Sequence, residues 1–335
     1  MKRILITGIT GMVGSHLADY LIKNTSSIIY GACRWRSPND NIQHLSKLIN
    51  DKKRIFLKYA DLNDTISIDN LIYEIKPDYI YHLAAQSFPK ASFQMPEVTF
   101  DTNINGTYRL LNSVLKNKIN PLIHVCSSSE IFGKVTRDKL PINENCNFHP
   151  ASPYAISKIG TDLIGRYFYE AYNLRVITTR MFTHTGPRRS DFFAESSFAK
   201  QIAMIENNLQ KPVVKVGNLK SLRTIADVRD AVRAYYLLLN KKPIAGEYYN
   251  IGGNKTLTVK EILEYLISIS KNSNITYKID KERLRPLDAD LQVPDINKFV
   301  NHTGWKPQIH YKKTLKDLLN YWRKKIKSSG QFINR

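Results

Sequence analysis

The amino-acid sequence predicts an α/β protein built on a doubly wound parallel sheet, with a smaller α/β lobe beside it. Compact apolar strand patterns alternate with amphipathic helix patterns through the first 180 residues, as in folds with a parallel sheet. A glycine-rich turn joins the first strand pattern to the first helix pattern. After about residue 183 prolines and loops become more frequent and helix patterns dominate, so a second lobe is expected there.

The individual elements follow from hydrophobic periodicity. The first pattern, RILITG (3–8), is a continuous apolar run ending in glycine, as in a strand buried on both faces. Further strands are predicted at 28–34, 55–62, 78–85, 121–129 and 175–182, with helices at 12–24, 65–75, 98–117 and 153–173. In the second half, helices around 194–208, 227–240, 258–271 and 313–326 are predicted to interleave with short strands in VVKVG and EYYNIGG. We predict one domain over 1–182 and a lobe over 183–328, some of which returns to the sheet, with a loose tail SSGQFINR.

The composition limits the classes of function. Of 335 residues, 42% are hydrophobic, but no run of about 18 apolar residues could span a membrane. The chain begins with a strand pattern and no signal peptide, and its three cysteines show neither metal-binding nor disulfide spacing. We therefore expect a reduced cytoplasmic protein without a metal site. The net charge is +21, but the basic residues are scattered, so an anionic small substrate is favoured over a nucleic acid.

The glycine turn predicts a dinucleotide site of the Rossmann type. Gly8 allows a tight turn, Gly11 lets the backbone approach a pyrophosphate, and Gly14 lets helix and strand pack closely. The spacing G-x-x-G-x-x-G is one residue longer than the common fingerprint, so these roles carry over by analogy. Backbone N–H groups at the start of the helix would bind the phosphates. The predicted contacts also include Thr10, Met12 and Val13.

The end of the second strand pattern indicates which dinucleotide binds. An acidic residue there would bind the ribose hydroxyls of NAD, whereas arginine accommodates the 2′-phosphate of NADP. This chain has Arg34 and Arg36 and no acidic residue at that point, so NADP is favoured over NAD. Later strand ends should border the same cofactor, and the residues predicted there are Asp61, Leu62, Leu83, Ala84, Ala85 and Gln86.

Tyr154 and Lys158 are the predicted reactive pair. They lie one helical turn apart, on the same face of a helix. An ammonium beside a phenol should lower the phenol pKa from about 10, so that Tyr154 can take a proton from a substrate hydroxyl while hydride leaves the same carbon. Lys158 could also hold the ribose of the nicotinamide. The serines that end the fifth strand pattern, Ser127, Ser128 and Ser129, make an incidental Tyr-Lys pair less plausible.

Glu130 extends the predicted chemistry. A simple dehydrogenase needs no carboxylate beside its tyrosine, but an elimination needs a base that removes a carbon-bound proton. The alternative is a surface glutamate that begins the next loop.

The chain resembles the extended short-chain dehydrogenases/reductases, and specifically the GDP-mannose 4,6-dehydratase group, over nearly its whole length. The motifs that carry the resemblance are TGITGMVGSHLADYL, YADLND, YHLAAQS, SSSEIFGK, SPYAISK, GPRRSDFF, VKVGNL, RLRP (283–286) and GWKP (304–307).

The resemblance implies a mechanism. Tyr154 would deprotonate O4 of the sugar while hydride passes from C4 to NADP. Glu130 would then remove the C5 proton as the C6 hydroxyl leaves as water, and hydride would return to C6. Ser128, which stands where the group usually has threonine, would hydrogen-bond O4. The product would be a 4-keto-6-deoxy sugar, and NADP would be regenerated.

The resemblance also implies a GDP site in the second lobe. Guanidinium groups form bidentate contacts with a diphosphate. The residues predicted to contact the substrate are Ser87, Ser128, Ser129, Thr183, Arg188, Arg189, Lys200, Asn218, Arg223 and Arg285.

Two departures from the group bear on the sugar. Thr183-His184-Thr185 replaces the usual Asn-His-Glu, and Thr224 and Ile225 replace the usual Asp and aromatic residue. These changes suggest a donor other than GDP-mannose, such as GDP-N-acetylglucosamine or a GDP-heptose, with the first preferred by general resemblance.

Other interpretations remain open. The second half also resembles GDP-4-keto-6-deoxymannose reductases, which would consume NADPH. An epimerase, a dehydrogenase, or a cofactor-binding member without catalysis is less favoured. The resemblance suggests a homodimer or homotetramer, in which the loop Arg34–Ile42 could contact a neighbour's cofactor site.

Overall fold

The structure is a computed structural model, and it describes residues 1–328 of the chain. The expectation of a loose tail, SSGQFINR, falls almost entirely outside those residues. The strands are β1 (Arg3–Thr7), β2 (Ile28–Cys33), β3 (Ile55–Tyr59), β4 (Tyr79–His82), β5 (Leu122–Cys126), β6 (Val176–Met181), β7 (His184–Thr185), β8 (Val213–Val216), β9 (Leu222–Asp227), β10 (Tyr248–Ile251), β11 (Lys255–Thr258), β12 (Thr276–Ile279) and β13 (Leu291–Gln292).

The α-helices lie between and after these strands. They are α1 (Met12–Asn24), α2 (Ser46–Asn50), α3 (Thr65–Ile75), α4 (Pro89–Gln94), α5 (Pro96–Phe100), α6 (Gly106–Lys116), α7 (Pro153–Tyr172), α8 (Ala194–Glu206), α9 (Val228–Asn240), α10 (Val259–Ser268), α11 (Asn297–Thr303) and α12 (Tyr311–Ser328). Short 3₁₀ turns cover Asp40–Leu45, Ser129–Phe132, Arg137–Lys139 and Lys281–Arg283.

The main sheet has seven parallel strands in the order β10-β6-β5-β4-β1-β2-β3. The strand order reverses between β1 and β4, and ligands bind outside the carboxyl ends of the strands at such a point. One apolar core packs α1 and α9 on one face, through residues such as Leu17 and Val232. A second core packs α3, α6 and α7 on the other face, through Ile72, Leu110 and Phe168. The predicted Rossmann-type fold is confirmed.

The second half of the chain forms a smaller unit and also completes the main sheet. Strand β10 pairs with β6, so a segment beyond residue 183 does return to the sheet. The remaining strands form small sheets, one in the order β11-β9-β13 with β7 beside β9, and one pairing β12 with β8. A separate core lies between α8, α10 and α12. The domain division at residues 182 and 183 stays a prediction.

The strands end earlier than the apolar runs suggest. The fourth and fifth predicted strands reach 85 and 129, but β4 ends at His82 and β5 at Cys126. The residues that follow each of these two strands make no further sheet pairing and line the carboxyl edge of the sheet as loops. The predicted helix at 98–117 is interrupted by a π turn at Asp101–Asn105. Among residues 1–328 no helix is long and apolar enough to cross a membrane, and no cluster of His, Cys, Asp or Glu could hold a metal ion.

Candidate active site

The glycine turn fits a dinucleotide because three backbone segments approach one another closely there. Gly8 has a left-handed φ of 75°, and a Cβ on it would lie 2.9 Å from Ala84 Cα. A Cβ on Gly14 would lie 2.3 Å from the Gly8 carbonyl oxygen. Side chains at these positions would therefore push β1, α1 and the segment after β4 apart.

Helix α1 begins with free backbone donors. Its N-cap residue, Gly11, has no side chain that could accept a hydrogen bond, so the N–H groups of Met12, Val13 and Gly14 are open to an anion. The dipole of the helix adds a partial positive charge at this end. The turn and helix therefore fit a pyrophosphate.

The tip of β2 borders the same turn. Arg34 and Arg36 are exposed, and no ion pair joins either to another residue in the described part of the chain. The Asn41 side chain donates to the Thr10 carbonyl at 3.0 Å, which holds the loop after β2 against the glycine turn. After β3, the Asp61 carboxylate accepts from the Asn63 N–H at 3.1 Å. Two basic side chains are therefore available beside the predicted ribose position.

The segment after β4 is held from both sides. Thr7 Oγ1 accepts hydrogen bonds from the N–H groups of Leu83 and Ala84, each at 3.1 Å. On the other side, Asn103 accepts from the Gln86 N–H at 2.8 Å. This segment, with Ala85 and the exposed Ser87, runs along the carboxyl edge between β4 and α4.

Asn103 is a positioning residue that sequence analysis missed. Its side chain donates to the Gln86 carbonyl at 3.0 Å and to Ser157 Oγ at 2.9 Å, so it joins the segment after β4 to helix α7. The backbone carbonyl of Asn103 accepts from Thr107 and Thr161. The residue lies in the π turn, which leaves no trace in hydrophobic periodicity. An asparagine in an apolar helix pattern was the only available signal.

The predicted reactive residues converge at the end of β5 and the start of α7. Helix α7 begins with Ser152 as N-cap, whose Oγ accepts from the Ala155 N–H at 3.1 Å, and with proline at its first position. Tyr154 is buried on the first turn, and its hydroxyl hydrogen-bonds to Ser128. Ser127 Oγ donates to the Lys158 carbonyl at 3.0 Å, which fixes the strand end to the helix.

The electrostatics of Tyr154 are set by its burial and its neighbours. Burial raises the pKa of the Tyr154 phenol, while the hydrogen bond with Ser128 and the charge of Arg189 lower it. A lowering of the Tyr154 pKa by Lys158 stays a prediction. The Lys158 ammonium donates to the Cys126 carbonyl at 2.7 Å, on the strand side of the helix, and burial lowers the pKa of the ammonium.

Two buried histidines lie near the carboxyl ends of β4 and β5 and hydrogen-bond to neighbouring threonines. His82 contacts the hydroxyls of Thr7 and Thr107, and His124 contacts Thr179. Burial lowers the pKa of each imidazole to about 3, so both rings are neutral at ordinary pH.

Glu130 lies beside Tyr154 and faces the second lobe. It follows Ser129, and its N–H donates to Ser128 Oγ at 3.2 Å. The Glu130 carboxylate is 16% exposed and lies 3.5 Å from Arg285 Nη1. The carboxylate, the phenol and the serine hydroxyl therefore share one end of β5.

Arg285 belongs to a cluster of side chains centred on Asp288. Arg285 Nη1 lies 3.3 Å from Asp288 Oδ1, and Arg223 Nη2 lies 3.6 Å from the same oxygen. Asn218 donates to Asp290 Oδ1 at 3.0 Å and lies 3.4 Å from Asp288 Oδ2. Three of the predicted substrate contacts, Asn218, Arg223 and Arg285, therefore lie in one cluster.

The other predicted phosphate contacts lie elsewhere. Arg188 Nη2 forms an ion pair of 2.8 Å with Asp19 on α1, and it also lies 3.4 Å from His44. Lys200 pairs with Asp191 at 2.8 Å. Arg189 is the residue of this group nearest the reactive tyrosine. Its guanidinium stacks on Phe193 at 3.3 Å, its Nε has no hydrogen-bond partner among the described residues, and burial lowers its pKa.

The departures from the resembled group fall in two different environments. Thr224 is 3% exposed and shares a hydrogen bond of 2.8 Å with Thr256, and Ile225 packs in the core of the second lobe. Both changes therefore lie at buried packing positions. Thr183 is different because it is half-buried at the end of β6, on the carboxyl edge of the main sheet.

A glycine turn at the switch point of a parallel sheet, with serine, tyrosine and lysine at the end of β5, defines a member of the short-chain dehydrogenase/reductase superfamily. The family model described as GDP-mannose 4,6 dehydratase matches residues 5–318. The chain belongs to that family, as the resemblance predicted.

Individual relatives agree with the family. GDP-mannose 4,6 dehydratase 1 of Arabidopsis thaliana is 33% identical over 330 residues, which cover 95% of this chain and 89% of the plant protein. GDP-6-deoxy-D-mannose reductase of Pseudomonas aeruginosa is 29% identical over 326 residues, which cover 97% and 99% of the two chains. The structure of RMD from Pseudomonas aeruginosa complexed with NADPH matches with a TM-score of 0.82 at 28% identity, covering 97% of this chain and 100% of that chain.

Proposed function

We propose that the protein is a GDP-sugar 4,6-dehydratase that uses NADP and releases a 4-keto-6-deoxy sugar. The observation that carries the proposal is the placement of the Glu130 carboxylate beside Ser128 and Tyr154 at the end of β5. A carboxylate beside the alcohol-activating residues supplies the second base that an elimination requires. Membership of the GDP-mannose 4,6-dehydratase family supports the same reaction.

Tyr154 would be the proton acceptor for the sugar O4. A bound nicotinamide dinucleotide would supply the hydride acceptor for C4 and the hydride donor for C6. Ser128 would orient O4 and share its hydrogen bond with the phenol. The positive charge of Arg189 would stabilise the phenolate that forms, and the dry surroundings of Tyr154 would strengthen that interaction.

Glu130 would act after O4 has become a ketone. The ketone acidifies the neighbouring C5 hydrogen, which Glu130 would remove as a proton. The same carboxyl group could then protonate the departing C6 hydroxyl, so that water leaves and Glu130 is a carboxylate again. The proton that Tyr154 took from O4 would go to C5 when hydride is added at C6, so that both residues return to their starting states.

The choice of NADP rests on Arg34 and Arg36. Both are exposed at the tip of β2, where an acidic residue would otherwise bind the 2′-hydroxyl of NAD. The relative complexed with NADPH supports this choice. Lys158 would hold the ribose of the nicotinamide, and Asp61, Leu62 and the segment 83–86 would border the adenine and the ring.

The nucleotide end of the substrate would lie at Arg223, Arg285 and Asn218. Their cluster offers two guanidinium groups and an amide, which suit a diphosphate. Ser87, Ser129, Thr183 and Arg189 would face the sugar. We propose GDP-N-acetylglucosamine or GDP-mannose as the donor, with the first preferred by general resemblance.

The direct test is incubation of the purified protein with each GDP-sugar and no added reduced cofactor. The proposal expects one donor to lose one water, as measured by mass spectrometry. Intact donors in both reactions would contradict it. Glu130→Gln should abolish the loss of water, whereas Glu264→Gln, on the exposed face of α10, should retain it.

A reductase acting on a GDP-4-keto-6-deoxy sugar is the second candidate. It is favoured by the reductase from Pseudomonas aeruginosa, which aligns over 99% of its own length. A reductase would oxidise NADPH in step with its substrate and would tolerate Glu130→Gln. Both properties can be measured by the absorbance of NADPH.

We also propose a homodimer or homotetramer in the cytoplasm. The support is an exposed apolar face on α6 and α7, where Tyr108, Ile156, Leu163 and Tyr167 are each between 46% and 50% exposed. The three α7 residues are spaced by seven and four, so they lie on one side of the helix. A monomeric mass by light scattering at micromolar concentration would contradict this proposal.

A further inference from the structure

Within residues 1–328, Arg285 is the residue of the cluster around Asp288 that contacts the candidate base Glu130 directly. A single nitrogen, Nη1, lies 3.3 Å from Asp288 Oδ1 and 3.5 Å from Glu130 Oε1. Both distances exceed the 2.7–2.9 Å that is typical of a strong ion pair. The guanidinium is therefore shared between two carboxylates and held tightly by neither.

Arg223 provides the contrast. Its Nη1 donates to the Leu222 carbonyl at 2.9 Å and to the Asp290 carbonyl at 3.2 Å, so its guanidinium is anchored to the backbone. Among the described residues, the Arg285 guanidinium contacts two side-chain carboxylates and no backbone carbonyl. Of the two candidate diphosphate arginines, Arg285 is the one whose partners are easily exchanged.

We propose that Arg285 is a positioning residue that couples binding of the diphosphate to release of the Glu130 carboxylate. The inference rests on the proposed function. A diphosphate offers Arg285 a bidentate partner with more charge than either carboxylate. Once Arg285 turns toward it, Glu130 loses its cation and is free to take the C5 proton. The base is thus unpaired only when the nucleotide is in place.

Such coupling is reciprocal. If binding of the diphosphate breaks the contact between Arg285 and Glu130, then removing the Glu130 charge must strengthen binding of the diphosphate. This increase in affinity for the diphosphate must depend on the presence of Arg285. It should equal the strength of a partly exposed ion pair, roughly two- to fivefold in affinity.

The test is a double-mutant cycle in which the dissociation constant of GDP is measured by calorimetry. Glu130→Gln should bind GDP roughly two- to fivefold more tightly than the wild type. In the Arg285→Gln background, Glu130→Gln should change the affinity by less than about 1.5-fold, because the coupled contact is already absent. The matched control is Arg283→Gln. Arg283 lies two residues away and contacts Ser197 and Asp280, so it should leave the gain from Glu130→Gln intact.

Three outcomes would overturn the inference. An unchanged affinity in Glu130→Gln would show that the contact does not oppose binding. An equal gain in the Arg285→Gln background would show general repulsion between Glu130 and the phosphates. If the wild-type protein does not bind GDP, the proposed substrate fails as well, which separates that result from the first two.

Discussion

The glycine turn and the cluster around Asp288 are both candidate sites for a diphosphate, but they are built from different materials. The turn offers the backbone N–H groups of Met12, Val13 and Gly14 at the start of α1. The cluster uses side chains that lie far apart in the sequence, as in the pair of Asn218 and Asp290, which are 72 residues apart. A backbone site has fixed donors and no competing acceptor. A side-chain site must give up internal ion pairs when its ligand arrives.

Because of this difference, we expect the glycine turn to be rigid and the cluster around Asp288 to rearrange when a ligand binds. Gly14 could not carry even a methyl group without moving backbone atoms. Arg285 could turn by a few ångströms and exchange one carboxylate for another oxygen acid. The cofactor is retained through the proposed reaction, whereas the substrate must enter and leave, and the two constructions suit those two tasks.

The largest expected effect is the loss of turnover when the proton acceptor, Tyr154, is changed. This residue is held at the start of α7 and does not depend on the cluster around Asp288. Tyr154→Phe should lower kcat by about 10²- to 10⁴-fold because proton transfer from O4 is lost. NADPH binding, measured by fluorescence titration, should change little. Tyr167→Phe, on the exposed side of the same helix, should keep full activity. A Tyr154→Phe enzyme with near-normal kcat would remove Tyr154 from the mechanism.

The next effect tests the rigidity of the glycine turn. Gly14→Ala should weaken NADPH binding and lower the melting temperature, at a cost of about 1–3 kcal/mol, because its Cβ would lie 2.3 Å from the Gly8 carbonyl oxygen. Gly11→Ala should perturb stability less, since its Cβ would meet that oxygen at 3.3 Å. Equal losses of stability would mean that the close packing at Gly14 has no special role.

Much of the glycine turn, the strands and the start of α7 could be predicted from the sequence. The glycines, the N-cap serine and proline of α7 and the strand runs are local signals, and they lie where the periodicity indicates. The interruption at Asp101–Asn105 and the role of Asn103 could not be predicted, because a π turn keeps the helical pattern of apolar residues.

The side-chain region was harder to predict because its partners are distant in sequence. Arg188 and Arg223 have the same chemistry, yet one pairs with Asp19 on α1 and the other with Asp288. The direction of Lys158, toward the Cys126 carbonyl, likewise depends on how α7 packs against β5. Residue type predicted that an anion site exists but could not select which arginines form it.

The third prediction concerns the free energy of unfolding at acidic pH, which depends on the buried His82 and His124. Burial lowers the pKa of His82 and His124 from 6.5 to about 3, so the unfolded chain binds their protons first as the pH falls. The free energy of unfolding should be at its plateau above about pH 6.5 and should fall below it by about 1.4 kcal/mol per pH unit for each such histidine. Urea unfolding between pH 8 and 5 would measure this. His124→Gln should show a shallower slope, and a flat profile in the wild type would contradict the account.

The smallest effect separates Arg223, in the cluster around Asp288, from Arg188, which pairs with Asp19 on α1. Arg223→Gln should weaken GDP binding about tenfold, as expected for a lost charged hydrogen bond. Arg188→Gln should change the GDP affinity by less than about twofold, because its guanidinium is engaged with Asp19. Calorimetry would measure both. Equal losses would return Arg188 to the diphosphate site that the sequence suggested.

The central claim is that hydride moves within one sugar, from C4 to C6, while the cofactor is regenerated. The most direct measurement uses a GDP-sugar carrying deuterium at C4, chosen as the donor that loses water, with no added reduced cofactor. We predict a 4-keto-6-deoxy product that retains the deuterium in its C6 methyl group. Loss of the label to solvent, or turnover that stops without a supply of NADPH, would contradict it.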